Sequence, residues 1–307
     1  MLLVVLVALV WGRSLGFPVV YWDDTQYLYE DARVQALSLE NLWRIVSESY
    51  FSNYHPLTTL TYALDHAVWG NWLPGFHLTH LVLYAAGIVV LYFLFARLLG
   101  NDRAALLAAA LYAVHTIHVE PVVWLAQRKD LLCLVLYAGT LLAWVRYRAT
   151  EAPQLRRRLY LLVLALAALA MLAKGYAVVL PAALLAYDLT LAPRPLKRAV
   201  VEQLPLVALA AIVTVITVLA QETALAESET TSLVFGARLV LLLKVFAVYA
   251  GRALVPVSLA VHYPVGADWL PGVVAVLGLA TFVGLLYLFV RTRQRLPGVA
   301  FGLVLYQ

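Results

Sequence analysis

Charge is scarce in this sequence: Asp, Glu, Lys and Arg make up 13% of its 307 residues, against about a quarter in a soluble globular domain. Hydrophobic residues reach 64%, and apolar runs long enough to cross a bilayer recur along the whole length. A water-soluble fold is thereby excluded, and a polytopic membrane protein is implied. Cysteine is almost absent. The single Cys133 rules out an internal disulfide and, lying in an apolar run, reads as a buried inert thiol. The opening MLLVVLVALVWGRSLGF lacks a basic leader and a small-residue cleavage site, so it reads as a retained first helix and not as a signal peptide. No solenoid repeat or low-complexity tract is present. The net charge of +5 would suggest an anionic partner for a soluble chain. Here it reflects arginines in loops, and nucleic acid is not an expected partner.

What is present is a series of candidate spans, at 1–17, 76–99, 103–119, 130–147, 159–174, 176–192, 204–220 and 271–290, with a partial one from 297. The predicted fold is an all-α bundle of about nine membrane helices forming a single transmembrane domain over 1–307. The end, PGVAFGLVLYQ, stops within an apolar run and reads as a C-terminal truncation. Arginines cluster between several spans (Arg97 and Arg103; Arg146, Arg148 and Arg156 to Arg158; Arg194 and Arg198; Arg291, Arg293 and Arg295), which the positive-inside rule puts in the cytoplasm. The alternate loops are then outside and hold most of the acids, including Asp23, Asp24, Glu120, Asp130, Glu222, Glu227 and Glu229. Residues 236–258 do not fit a simple crossing. They carry Arg238, Lys244 and Arg252, which fall within about 120° of one another on a helix. Either these line a re-entrant or wet element, or they snorkel to head groups.

The first outside loop, 18–75, contains LSLENLWRIVSESYF. Ser38 can cap a helix there, with Leu39, Leu42, Trp43 and Val46 on one face, a pattern suited to lying on a membrane surface. Asp23 and Asp24 sit where the first span should emerge. They are either a solvated helix end or a general base and its neighbour in an outward cavity, and on an extended turn one can face substrate while the other orients it. The pair could also hold a divalent cation, Mg or Mn, or work without one. In HTIHVEPVVWLAQRKDLL, His115 and His118 share a helical face, Glu120 precedes a proline that should end or kink the helix, and Arg128, Lys129 and Asp130 begin the next span. So many polar groups at one membrane edge imply a wet cavity. His-x-x-His-x-Glu could hold zinc, but it lacks one-turn spacing, and structural histidines are the competing reading. Lys174, between two spans with almost no loop, either snorkels or meets a phosphate. His55 precedes Pro56 in a rigid turn, and His77 and His80 share a face entering the second span.

WDD, NYHPLTTLTYALDHAVWG, GFHLTHLVLY, LYAVHTIHVEPVVWLAQRKDLL and MLAKGYAVVLPAALLAYD, in this order, resemble the membrane portion of bacterial multi-span proteins that often end in tetratricopeptide repeats. Those are similar to the transmembrane O-mannosyltransferases that modify cadherins, and both resemble the GT-C class of glycosyltransferases. The resemblance covers residues 17–265. It implies a GT-C-like bundle, a mannose-like or other hexose donor on a polyprenyl phosphate, and an acceptor hydroxyl (protein Ser or Thr, or a glycan) reached from the outer face. It also implies inversion at the anomeric carbon and a setting in a bacterial inner membrane facing the periplasm. Catalysis by an acid of the first outer loop carries over to Asp24 and Asp23. The second signature carries over to His118, Glu120, Arg128, Lys129 and Asp130, and the family's Ala-Lys motif to Lys174. The next residue, usually glutamate or proline in relatives, is Gly175 here, so no acid acts at that position. Arg128, Lys129, Lys174 and the basic face of Arg238, Lys244 and Arg252 are the expected phosphate-binding groups. His55, His77, His118, Glu120 and Asp130 are expected to line the cavity. A lipid-sugar flippase would use the same cations without a base, but no inverted repeat is visible. A non-catalytic scaffold is the remaining alternative.

Overall fold

The computed structural model describes residues 1–222, 235–257, 259, 272–292, 294–295 and 297–306. Glu227, Glu229 and Arg293 lie outside the described residues. Among the described residues every regular element is helical, and the one β feature is an isolated bridge between Tyr50 and Asn53.

The chain begins with α1 (Leu2–Trp11), then a short helix α2 (Leu39–Ser47) and α3 (Pro56–Trp69) in the first long connection. Next come α4 (Leu73–Leu99), α5 (Asp102–Val114), α6 (Val119–Val123), α7 (Arg128–Ala149) and α8 (Pro153–Ala173). After them run α9 (Leu180–Thr190), α10 (Leu196–Ala220), α11 (Phe235–Leu254), α12 (Gly272–Thr292) and α13 (Pro297–Tyr306). Among the described residues four segments are long and apolar enough to cross a membrane: Leu73–Leu99, Leu125–Ala149, Leu196–Ala220 and Gly272–Thr292. A fifth crossing results if Asp102–Val114 and Thr116–Val123, bent by 50°, count as one. The chain is thus an integral membrane protein, helical throughout the regular elements of its described residues. The other expected spans are present as helices that are shorter, or, in α8, that carry Arg156, Arg157 and Arg158 near the start.

The chain divides into two compact units, one of Met1–Leu184 with Lys197–Ala220, the other of Leu185–Leu196 with Gln221–Gln307. In the first, α4 packs on α5 and α7, and α7 on α8. Gly87 on α4 is what permits the α4–α7 approach, since a Cβ there would come within 2.7 Å of Leu134. Trp11 Nε1–H donates to the Ala113 carbonyl at 2.8 Å, and Tyr84 O–H to the same oxygen at 3.1 Å. They satisfy a backbone acceptor that the break after α5 would otherwise leave unpaired. That break falls at His115, earlier than the expected one at Glu120. Pro121 sits instead in the first turn of α6, where a missing N–H costs no helical bond. In the second unit α11 packs on α12, with Phe246 and Phe282 edge to face, and Asp188 forms a buried ion pair with Arg194.

Ser38 caps α2 as its sequence suggests, its Oγ accepting from the Asn41 amide at 3.0 Å. Ile45 turns inward while Leu39, Trp43 and Val46 stay exposed. Phe51 and Ser52, in the tight turn after α2, hold φ of 48° and 55°, a left-handed pair without glycine.

Candidate active site

α3 sets the frame. Pro56 opens it at the first helical position, where the fixed φ of proline suits a helix start. Two of its polar side chains, Thr58 and Tyr62, then reach distant backbone, and a third, Asp65, reaches distant side chains. Thr58 O–H donates to the Ala173 carbonyl at 2.9 Å, holding the end of α8 just before Lys174. Tyr62 O–H donates to the Leu125 carbonyl at 2.7 Å, holding the turn Leu125–Gln127 that leads into α7. Asp65 pairs with Arg128 at 2.5 Å and accepts from Thr79 O–H at 2.8 Å. Arg128 is completely buried, also donates to the Thr61 and Phe76 carbonyls, and lies over the Tyr62 ring at 4.6 Å. A buried guanidinium so engaged fastens α3, α4 and α7 together.

The two adjacent acids diverge on this frame. Asp24 is 1% exposed, and both its oxygens are occupied: Oδ2 accepts from the Val20 amide at 2.9 Å and Oδ1 from the Ala126 amide at 2.7 Å. Burial raises its carboxyl above the ordinary value, and the two amides partly offset this. Asp24 therefore stitches the first loop to the start of α7. Asp23 is half-buried and makes no hydrogen bond or ion pair among the described residues. It lies within electrostatic reach of Lys129 and Tyr27. The Lys129 ammonium sits 5.6 Å from the centre of the Tyr27 ring and interacts with Lys174, Asp130 and Glu120 as well. Lys174 is paired with Asp130, each about a third exposed, with 31% and 34% of the side chain open. Gln127 Nε2 donates to Glu120 at 2.9 Å. Asp23, Glu120, Lys129, Asp130 and Lys174 thus form one cluster of mixed charge in the first unit.

Beneath it is an aromatic floor. Tyr27 meets Phe51, His55 and Tyr62 with ring centres 5.8, 5.1 and 6.5 Å away. Burial, then Asp23, raises the Tyr27 phenol. His55 Nδ1 lies 3.2 Å from Thr59 Oγ1. Burial, and then the neighbouring Lys129, push the imidazole down to about 4, so it is neutral at physiological pH.

The remaining expected residues have other partners. His77 and His80 share a face of α4, both buried, with His77 Nε2 at 3.2 Å from the Phe17 carbonyl. His115 and His118 do not share a helix, because the chain breaks between them and α5. His118 stacks on Tyr112 at 4.2 Å and His115 Nδ1 accepts from the Ile117 amide. Arg238, Lys244 and Arg252 all lie on α11, in the second unit, with Lys244 buried and Arg238 exposed, and each of them makes interactions of its own. Among the described residues no group of three or more His, Cys, Asp or Glu is arranged to hold a metal ion. Sequence reasoning missed Asp65, Tyr27 and Gln127. Asp65 had a signal, being the one acid in a segment with no other ionised side chain, which requires a partner when buried.

Residues 55–220 match the family described as dolichyl-phosphate-mannose-protein mannosyltransferase. The chain is similar to Protein O-mannosyl-transferase TMTC4 of Homo sapiens, with 30% identity over 157 residues, 44% of this chain and 21% of that protein. Protein O-mannosyl-transferase Tmtc2 of Drosophila melanogaster is 30% identical over 177 residues, 54% of this chain and 19% of its own length. Protein O-mannosyl-transferase TMTC3 of Mus musculus is 27% identical over 157 residues, 49% of this chain and 17% of its own length. The chain therefore spans about a fifth of the length of the curated relatives it matches. No solved structure matches it.

Proposed function

Because this chain belongs to the dolichyl-phosphate-mannose-protein mannosyltransferase family, we propose that it is a GT-C glycosyltransferase. It moves a mannose-like or other hexose from a polyprenyl-phosphate donor to an acceptor hydroxyl, that of a protein serine or threonine. The observation that carries this reading is the meeting of Asp23 with Lys129 and the Lys174–Asp130 pair in one polar cluster.

In the step proposed, Asp23 accepts the proton of the acceptor hydroxyl as its oxygen bonds to the anomeric carbon. The bond from that carbon to the phosphate oxygen breaks, its electron pair leaving with the polyprenyl phosphate. Lys129 and Lys174 neutralise the charge gained by the phosphate. Direct displacement inverts the anomeric centre, and one base suffices, unlike the paired carboxylates of water-using glycosidases. Asp24 holds the frame in this scheme and takes no proton. Arg128 likewise acts through Asp65 and not on phosphate. No step is assigned to a Mg or Mn ion, because the Asp24 oxygens are already engaged by backbone amides.

The cluster belongs to segments that charge asymmetry assigns to the outer side, so the site faces the periplasm from a bacterial inner membrane, within a bundle of about nine helices. The test is mass spectrometry of cell-envelope glycoproteins from cells carrying the wild-type gene, no gene, or Asp23→Asn. Hexose-modified peptides should appear only with the wild type. Their persistence with Asp23→Asn at equal protein level removes the base assignment, and their persistence without the gene removes the function.

A further inference from the structure

Next to Asp23 stands an aromatic side chain that the reaction step leaves unused. Trp22 is 51% exposed, yet it is not loosely held. Its ring centre lies 6.1 Å from that of Trp124, with the planes tilted by 34°. Trp124 leads directly into the turn Leu125–Gln127 and so to Lys129 and Asp130. Asp24 binds backbone on both sides of this pair, at Val20 and at Ala126. The indole is therefore fixed to the two segments that supply the carboxylate and the cation.

We propose that Trp22 is the stacking platform for the hexose ring of the lipid-linked donor. The proposal rests on the glycosyltransferase reading and names its sugar subsite. A pyranose carries its hydroxyls around the rim and presents weakly positive C–H groups on its faces. The face of an indole is the negative part of its quadrupole, so ring and sugar attract while the sugar hydroxyls stay in water. During transfer the anomeric carbon lies between the acceptor oxygen at Asp23 and the phosphate at Lys129. Trp22 is joined to Asp23 by the chain and, through Trp124, to the turn that carries Lys129, so its exposed ring borders both ends of that line. Trp72, 55% exposed and packed on Trp69 at the α3–α4 corner, has no such neighbours and serves as the control.

The experiment measures binding of a polyprenyl-phosphate hexose and of bare polyprenyl phosphate to the full chain in nanodiscs. Wild type, Trp22→Ala, Trp22→Phe and Trp72→Ala are compared. Trp22→Ala should weaken the sugar-bearing lipid about three- to tenfold and leave the bare lipid unchanged. Trp22→Phe should recover most of the loss, and Trp72→Ala should alter neither. Equal weakening of both lipids makes Trp22 a membrane anchor or folding residue and overturns the proposal, as does no weakening. A wild type that binds and transfers the sugar while Trp22→Ala is unaffected removes only this subsite. A wild type that binds the two lipids equally removes the subsite alone, and a wild type that transfers no hexose to an acceptor in the same nanodiscs removes the glycosyltransferase reading.

Discussion

Asp23 and Asp24 are chemically the same and adjacent in sequence, and their surroundings give them different work. The Asp24 carboxylate is buried with both oxygens turned onto backbone amides, so it offers an acceptor hydroxyl no open oxygen, whereas the half-buried Asp23 can meet one directly. Asp23→Asn should lower transfer by about 100- to 10,000-fold without changing the melting temperature of the purified protein. Asp24→Asn turns a donor toward one of two backbone amides and should cost about 1–3 kcal/mol of stability, so melting temperature and activity fall together. Loss of activity in Asp24→Asn at an unchanged melting temperature would exchange the two roles. His55 gives a pH signature. Its imidazole titrates at about 4 in the fold against 6.5 when exposed, so on acidification the unfolded chain takes up the proton first. Stability is full above about 6.5 and declines as pH falls towards 4. His55→Gln should flatten that stretch of a melting-temperature profile.

At the scale of elements, α3 decides where the site forms, through the Arg128–Asp65 pair as well as Thr58 and Tyr62. Arg128→Ala leaves Asp65 buried without its partner and should cost about 3–5 kcal/mol. The double change Arg128→Met with Asp65→Leu should recover much of this, as read by thermal denaturation in detergent. Gly175 is a second element-scale test. A Cβ there would come within 2.8 Å of Thr217 Oγ1 on α10, so Gly175→Ala should destabilise the fold and Thr217→Ala should restore it. The long apolar helices and the Ser38 start of α2 were legible in the sequence, because those signals are local, whereas Pro56, which reads as a rigid turn, opens α3. The cluster of Asp23, Lys129 and Lys174 was legible as motifs. What sequence could not resolve was which acid faces inward, since that depends on an amide at Ala126 far along the chain. Arg128 shows the same limit: the sequence reads it as a cation beside Lys129, and only the fold sets Asp65 against it. The shared face expected for His115 and His118 failed because backbone leaves the helix at His115.

For the whole molecule, charge asymmetry predicts sidedness that labelling can check. Cys133, the sole cysteine, is 8% exposed, so the background is low. In intact spheroplasts, a membrane-impermeant maleimide should modify Glu40→Cys and spare Arg157→Cys until the membrane is opened. The reverse pattern would turn the site toward the cytosol and remove the proposed donor geometry.

The stitch at Asp24 also has a consequence in time. Its Oδ1 partner lies 102 residues downstream, so during synthesis the acids reach the bilayer well before the backbone that aims them has left the ribosome. A nascent chain arrested ahead of Ala126 holds the acids without the backbone that aims them, and the charged cluster is complete only when Lys174 has followed.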